Sequence, residues 1–512
     1  MTQATVVDTL GPPIGGLNKR DNGVAMPDLD CLQIDNIVPR PSHIELLDGS
    51  QFWCTGFTGD VKGIGVFRPA SGSQSIVAAV GANLYVVTAS GAHPVPLSNS
   101  SITNAYVDFA NFATPATQYL VALNGTDSMR LWNGSAWTTV ASFTYTPTTT
   151  IATTHFTQMV GYQGRAFFIP VGERAFYYST TVGAISGIEV KRFDLDAMFP
   201  NGGYARAIAR WTVDYADGPN DYLVIVSTAG DVVIFHGTDP ADPAKWTYKG
   251  TFQMGPPLGR RCFTQYGGDL LLLASNGVWP ISKAIVTGKV DKTISTSDKI
   301  NPELTAIARR LGPDVEGWQI LLHTGYNILV ILVPDNPKVA YCMELTSKGW
   351  FRVVDWDVNC IATDQTYLWA GRLSMTARLL DSSPQAYGRT RQGSLVTAPN
   401  YFNRVGSNKQ ISMLRPIVLF EDAGVIQVGA ATDFSTVRRV HSKAFSTSDV
   451  PRWDISQFDI ARWREANGRF IRWTGVANAP GYSQSLYFGM QSSSGYVRTL
   501  TFDYILRAGR AV

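Results

Sequence analysis

The residues best placed to do chemistry, by type and spacing, are the arginine–tryptophan pairs of RWDISQFDIARWREANGRFIRW, at positions 452/453, 462/463 and 472/473. Ten is an even spacing, so an extended chain keeps Trp453, Trp463 and Trp473 on one side, whereas a helix rotates them apart. Arg462, Arg464, Arg469 and Arg472 are then positioned to lie over indole faces. Two uses fit this pattern: a tryptophan layer inside a β core, or a surface that docks another protein. Nucleic-acid readout needs aromatics interleaved with basic residues on a groove or sheet face, and only this stretch approaches that requirement.

Other reactive patterns are not completed. A phosphate-cradling GxxxxGK[ST] string does not occur, GxSxG is absent, and Gly63-Ile64-Gly65 is not extended into GxGxxG. The six histidines (His43, His93, His155, His236, His323, His441) are far apart and supply neither HExxH nor an i, i+4 pair. FDLDAMFPNGG lacks the acidic residue that closes a calcium loop. Neither a cofactor nor a metal ligand set is therefore expected. Sugar hydrolysis by paired carboxylates at a propeller centre is the enzymatic alternative. GTDPADPAKWTYKG is similar to a sialidase Asp-box but lacks its glycine, so Asp239 and Asp242 read as turn formers before prolines.

These residues need a scaffold, and the composition indicates which. In 512 residues only 16% are charged, while 47 glycines and 11% aromatics favour short strands joined by tight turns. The fold class expected is all-β. The formal net charge of +3 is too small to argue for nucleic acid or membrane. From residue 385 onward there are 16 Lys+Arg against 8 Asp+Glu, leaving 27 against 32 of the total 43 and 40 upstream. The C-terminal part is basic and the rest mildly acidic. Cys31, Cys54, Cys262, Cys342 and Cys360 are odd in number and scattered, which argues against a disulfide framework or zinc knuckle. The first residues lack the charged and apolar regions of an export signal, and no apolar run reaches the ~18 residues of a membrane span, so no membrane anchor is expected.

From residue 61, runs such as SIVAAVGANLYVV, MVGYQGRAFFIPV and DYLVIVSTAGDVVIFHG pair two short apolar segments across a Gly-containing turn, which is the grammar of hairpins. Their recurrence every ~40 to 55 residues predicts a β-propeller of about six or seven units, with stacked sandwiches as the alternative. One helix is expected near 301–311: Asn301 as cap, Pro302 at the first position, Leu304, Ile307, Ala308 and Leu311 on one face, Gly312 at the end. It either packs on a blade or is presented to a partner. The polar stretch near 385 reads as a linker. The expected organisation is an N-terminal extended arm (1–55), a β-propeller-like domain (56–390) and a C-terminal β-sandwich or barrel-like domain (391–512).

The arm carries alternating apolar residues, Leu32, Ile34, Ile37, Val38, Ile44 and Leu46, interrupted at Pro39 and Pro41. Such a segment forms strands that pair with another domain or subunit, or that extend their own domain, with the prolines at an edge or bend.

Within it, Gly15 to Asn18, Met26-Pro27, Asp35-Asn36, Val38-Pro39 and Leu46 to Gly49 resemble the opening of a family of bacteriophage virion proteins. These are the tail hub, nozzle or packaged-DNA-stabilisation proteins of short-tailed phages. Val38 replaces the aromatic usual before that proline. MELTSKGWFRVVDWDVNCIATDQTYLWAG is similar to the family's late-propeller segment, and YFNRVGSNKQISMLRPIVLF, Thr432 to Phe434 and the tryptophan repeats resemble its C-terminal domain. The resemblance implies a structural, non-enzymatic tail protein assembled in the host cytoplasm. It would form a homo-oligomeric ring, six-fold by family habit, below portal and adaptor. It would dock tail fibres or a needle and line a channel through which phage DNA passes without sequence-specific binding. Because each neutralised phosphate strengthens DNA binding, the bore is expected to be mainly acidic or neutral. The alternative is a tail-borne host-receptor binder or carbohydrate-degrading propeller.

Overall fold

Tight turns between apolar runs generate the architecture. At Gln163 and Gly164 both φ angles are positive (48° and 74°), the geometry that a two-residue hairpin loop requires, and Tyr162 pairs directly with Arg165 across it. The computed structural model describes residues 4–70, 72–146, 149–215, 218–283, 295–435, 440–446 and 468–511. Over these residues the chain is almost entirely β, as expected.

Hairpin follows hairpin to form a β-propeller. Its inner strands are Ser50–Phe67, Asp108–Ala113, Phe156–Tyr162, Ala205–Tyr215, Phe263–Tyr266, Gln319–His323 and Cys360–Thr363. Each packs on the next, and the last returns to the first, closing the ring. Five sheets lie wholly within the ring. One of them fills two adjacent positions, because the 18-residue strand Ser50–Phe67 pairs Leu368–Leu379 with its first half and Ser75–Val80 with its second. The remaining position, Gln319–His323 to Trp350–Val353, belongs to a sheet that continues beyond the propeller. The expected six or seven units thus resolve into five self-contained sheets and one shared sheet around seven inner strands.

That shared sheet has ten strands. It runs outward from Gln319–His323 to Trp350–Val353, crosses arm strands Gly16–Leu17 and Asp30–Asp35, and continues through Arg391–Thr397, Gln484–Ser492, Ala423–Thr432 and Val440–Ser446. A second, seven-stranded sheet is built on Ser407–Phe420 and Val497–Ala511 and takes in arm strands Ala4–Leu10, Ile37–Pro39 and Ile44–Leu46. The two sheets meet through apolar faces, with Phe488 against Phe502 and Phe420 against Phe445, and form a C-terminal sandwich. Strand Arg391–Thr397 begins where the third domain was expected, whereas Ser50–Phe67 runs straight through the expected boundary at 55/56.

The arm therefore pairs with another domain of its own chain. Ile34, Ile37, Val38, Ile44 and Leu46 are all fully buried there and Leu32 is half-buried, so these side chains of the arm pack in the core of the single chain. Pro39 closes the outermost strand of its sheet and Pro41 lies in the following bend, where no ladder donor is needed.

The helix spans Asn301–Leu311. Leu304 and Ala308 are buried and Ile307 and Leu311 pack on the same core, so it lies on the fold as a packed element. Asn301 does not cap through its side chain; it is the first helical residue, and its amide bridges Ser297 and Ser295 instead. All five cysteines are free and buried. Among the described residues no helix is long and apolar enough to cross a membrane.

Candidate functional site

Two places gather polar residues in numbers: the axis of the propeller and the seam where the arm joins the two domains.

On the axis, a cavity of about 360 Å³ is lined by six of the seven inner strands. Its amide side chains act as latches between neighbouring strands. Asn111 accepts from the Arg68 N–H (3.1 Å) and donates to the Val66 carbonyl (2.9 Å). Gln158 accepts from the Ile208 N–H (2.9 Å) and donates to the Arg260 carbonyl (3.3 Å). Gln319 makes both bonds to the backbone of Ile361, at 3.1 and 2.7 Å. Each reproduces between blades the donor–acceptor pairing that ladder bonds provide within one.

The only carboxylate lining this cavity among the described residues is Asp108. Arg261 Nε donates to its Oδ1 at 2.8 Å, and Arg260 Nε faces its Oδ2 at 3.2 Å as an ion pair. Both guanidiniums also sit 4.5 Å from the Tyr106 ring centroid and donate to the carbonyls of Tyr106, Val107 and Lys62. Burial opposes the Arg261 charge, but Asp108 outweighs it and holds the guanidinium pKa above its ordinary value. Asp108 is thus held between two guanidiniums. Two-carboxylate glycoside hydrolysis needs a second group ~5 to 9.5 Å away, and the lining of this cavity offers none among the described residues.

The seam gathers residues of the arm and of the segment around Trp350. Gly16 has φ +70° and pairs with Trp350, and a Cβ on it would stand 2.4 Å from the Trp350 carbonyl oxygen. A Cβ on Gly349 would meet the Ile14 carbonyl at 2.6 Å and the Pro39 ring at 2.7 Å. Asn18 donates to Asp30 (2.7 Å), which Lys299 also holds at 2.7 Å. Asp35 takes a two-pronged ion pair from Arg352, at 2.7 and 3.1 Å. Asn36, at φ 54°, ties three elements: its N–H donates to the Arg352 carbonyl, its amide donates to the Gln392 carbonyl, and it accepts from the Val354 N–H. Gly49 lies against the carbonyls of Ser383 and Gln385 with no room for a Cβ.

Beside this runs a buried charge cluster. Glu45 meets Arg498 at 2.9 Å, Arg40 at 3.4 Å and His43 at 3.9 Å. Burial pushes its pKa up, but His43 and the two arginines more than reverse this and bring it down to about 2. Asp48 is raised by burial, with Arg391 3.8 Å away, and burial lowers the Arg391 pKa in turn.

The Arg–Trp repeat is only partly described: Trp453, Arg462, Trp463 and Arg464 lie outside the described residues. Arg469 is in strand Gly468–Ile471 and exposed, as is Arg472. Trp473 is half-buried between Gly468–Ile471 and Thr474–Gly475, both paired to Ser407–Phe420. The guanidinium over its ring, 4.9 Å from the centroid, belongs to Arg415, which also pairs with Asp503 at 2.6 Å. The sequence pattern pointed to the neighbouring arginines because a cross-strand partner leaves no local spacing. Asp239 and Asp242 are turn formers as expected, accepting from the N–H groups of Ala241 and Ala244. In the sequence Asp108, Arg260 and Arg261 carry one local sign, the adjacent arginines of Gly-Arg-Arg-Cys.

No family model matches this chain, and no curated protein does. Among solved structures it is similar to the β-propeller domain of Cps50 (Swd1) from Myceliophteria thermophila, at 10% identity over 64% of this chain and 98% of that one, with a TM-score of 0.39. It is also similar to a glycoside hydrolase family 43 arabinoxylan arabinofuranohydrolase from Bacillus subtilis in complex with cellotetraose, at 9% identity over 97% and 99% of the two chains, with a TM-score of 0.26. At these scores neither likeness bears on what the chain does.

Proposed function

We propose that the chain is a structural subunit of a short phage tail, a nozzle or hub protein that assembles as a homohexameric ring below portal and adaptor. The ring encloses the path of exiting DNA and carries fibres or a needle. The observation that supports this most is the convergence of Gly16, Asn18, Asp35, Asn36, Gly49 and Trp350 on one seam. These residues carry the resemblance, and Gly16, Asp35, Asn36 and Gly49 of the arm meet Trp350, Arg352, Gln392 and Ser383, more than 300 residues further along the chain, where propeller joins sandwich. A subunit that transmits load through a ring needs its two bodies fixed to each other, and a sheet continuous from one into the other does this.

The carbohydrate-degrading alternative has less support, because Asp108 on the axis is neutralised and unpaired with another carboxylate. Negative-stain microscopy and native mass spectrometry of the purified protein test the proposal, together with gold labelling of this chain on particles. Rings of about six 55.9 kDa copies and label at the tail are expected. A monomer that releases reducing sugar from host polysaccharide and is missing from particles overturns it.

A further inference from the structure

The outermost strand of a sheet presents backbone N–H and C=O groups that a further strand can bond. In the sandwich several of these limits are closed or broken. The ten-stranded sheet begins on the propeller axis, with Gln319–His323. The seven-stranded sheet stops at Ile37–Pro39, three buried residues ending on a proline, and at Gly468–Ile471 and Thr474–Gly475, two short pieces. Two limits are long and unbroken. Ala4–Leu10 pairs only with Val497–Ala511, in continuous register from Ala4 opposite Ala508 to Leu10 opposite Phe502. Val440–Ser446 ends the ten-stranded sheet and pairs only with Ala423–Thr432. Each has seven residues, and among the described residues neither has a strand on its far side.

These two edges complement each other face by face. Val6 and Leu10 pack on the core, so Asp8 between them shares the inner face, and Thr5, Val7 and Thr9 lie outside. Phe445 is buried in the same core, so His441 and Lys443 share its face, while Val440, Ser442 and Ala444 lie outside. Residues 440–444 are all exposed; Val440 is 42% and Val7 63% exposed. Asp8 accepts from the Thr9 N–H (2.8 Å) and the Tyr504 hydroxyl (3.3 Å) but meets no cation, and His441 and Lys443 meet no anion, among the described residues. Joined with their inner faces continuous, the strands bring acid to base inside and valine to valine outside. A lysine on a sheet edge by itself discourages pairing. Here the acidic edge of the same chain supplies its counterpart, whereas pairing either strand with its own copy gathers like charges on one face.

We infer that Ala4–Leu10 of one copy pairs with Val440–Ser446 of the next, so that the sheets of neighbouring sandwiches run into one another around the ring. Because two different edges are joined, the contact is head-to-tail, the kind that closes a ring where a self-complementary contact stops at a dimer. This rests on the ring assembly proposed above and names the contact that builds it.

Full-length double variants carrying Val7→Cys with Val440→Cys, Ser442→Cys or Ala444→Cys, the outward positions, test it by mild oxidation and non-reducing electrophoresis. The five native cysteines are buried and do not compete. At least one pair should give a covalent ladder that ends at the ring size read by native mass spectrometry, whereas each single variant gives at most a dimer. Lys443→Glu should lower the ladder yield by about tenfold by setting like charges across the contact, and adding Asp8→Lys should restore it. Rings without a ladder from any of the three pairs overturn the inference and leave the ring assembly standing. Absence of rings at every concentration overturns both. Dimers of Val7→Cys alone, formed as fast as the ladder, make the contact self-complementary and also overturn the inference.

Discussion

Two cavities of similar size, about 360 Å³ on the propeller axis and about 310 Å³ beside the seam, use their polar side chains in opposite ways. On the axis Asn111, Gln158, Gln319 and Asp108 all bond to neighbouring strands or arginines, so each holds the ring closed. Beside the seam the Asp355 carboxyl is bonded only by its own backbone N–H, its Oδ1 has no partner among the described residues, and Arg389 is exposed. Polar residues around a hollow therefore do not by themselves indicate a ligand. The informative quantity is whether an opposite charge faces them: Asp108 Oδ2 and Arg260 Nε lack hydrogen-bond partners among the described residues, as Asp355 Oδ1 does, but stand 3.2 Å apart as an ion pair.

Substituting the one carboxylate in each cavity should make this contrast measurable. Asp108→Ala leaves Arg260 and Arg261 buried without their counter-charge, and loss of one partner from such a pair costs ~3–5 kcal/mol. A shift of the urea midpoint to lower concentration at unchanged slope would register it. Asp355→Ala removes a carboxyl that burial disfavours and that only its own backbone N–H bonds, and should change stability by less than ~0.5 kcal/mol, or raise it. Equal losses at the two sites would dissolve the distinction between the two carboxylates.

The seam adds a pH dependence of its own. The folded Glu45 pKa, about 2, lies below the ordinary 4.5, so the folded state binds this proton less readily than the unfolded chain. The stability it contributes is fully present above about 4.5 and is lost as the pH falls toward about 2. Asp48 acts in the opposite sense: its raised pKa costs stability at neutral pH, and protonation relieves that cost. Acid denaturation of Glu45→Gln should accordingly show a lower neutral plateau and a shallower decline below about pH 4.5 than the parent. An acid limb of unchanged steepness would place the acid sensitivity elsewhere.

Much of the fold was legible because its signals are local. Gln163-Gly164 specifies its hairpin within two residues, and Pro302, Leu304, Ala308 and Gly312 specify the helix within three turns. The alternation of Ile34, Ile37, Val38, Ile44 and Leu46 identified a buried strand-forming arm, but not which body it would bury against, since pairing partners such as Arg391–Thr397 lie more than 350 residues away. The candidate sites were mostly illegible for the same reason. Phe52, Asp355 and Tyr387, which line the cavity beside the seam, share no spacing, and Asp108 meets Arg260 and Arg261 only after the ring has closed.

The smallest effect sharpens the contrast at its weak end, where a polar contact is made but remains open to solvent. Arg415 lies over Trp473 and pairs with Asp503, yet its side chain is 35% exposed. Screening then limits the ion pair to ~0–1 kcal/mol, and a partly exposed cation–π contact adds about 0.5–1 kcal/mol. Arg415→Ala should therefore lower stability by about 1 kcal/mol, and Arg415→Lys should recover part of it, because lysine keeps the charge but loses the planar stack. High salt should narrow the gap between parent and Arg415→Ala while leaving the Asp108→Ala gap nearly unchanged, since that pair is buried beyond the reach of screening ions. If salt moves both gaps alike, Asp108 is wetter than the axial latch allows, and the division between structural and available polar groups has to be redrawn from the axis outward.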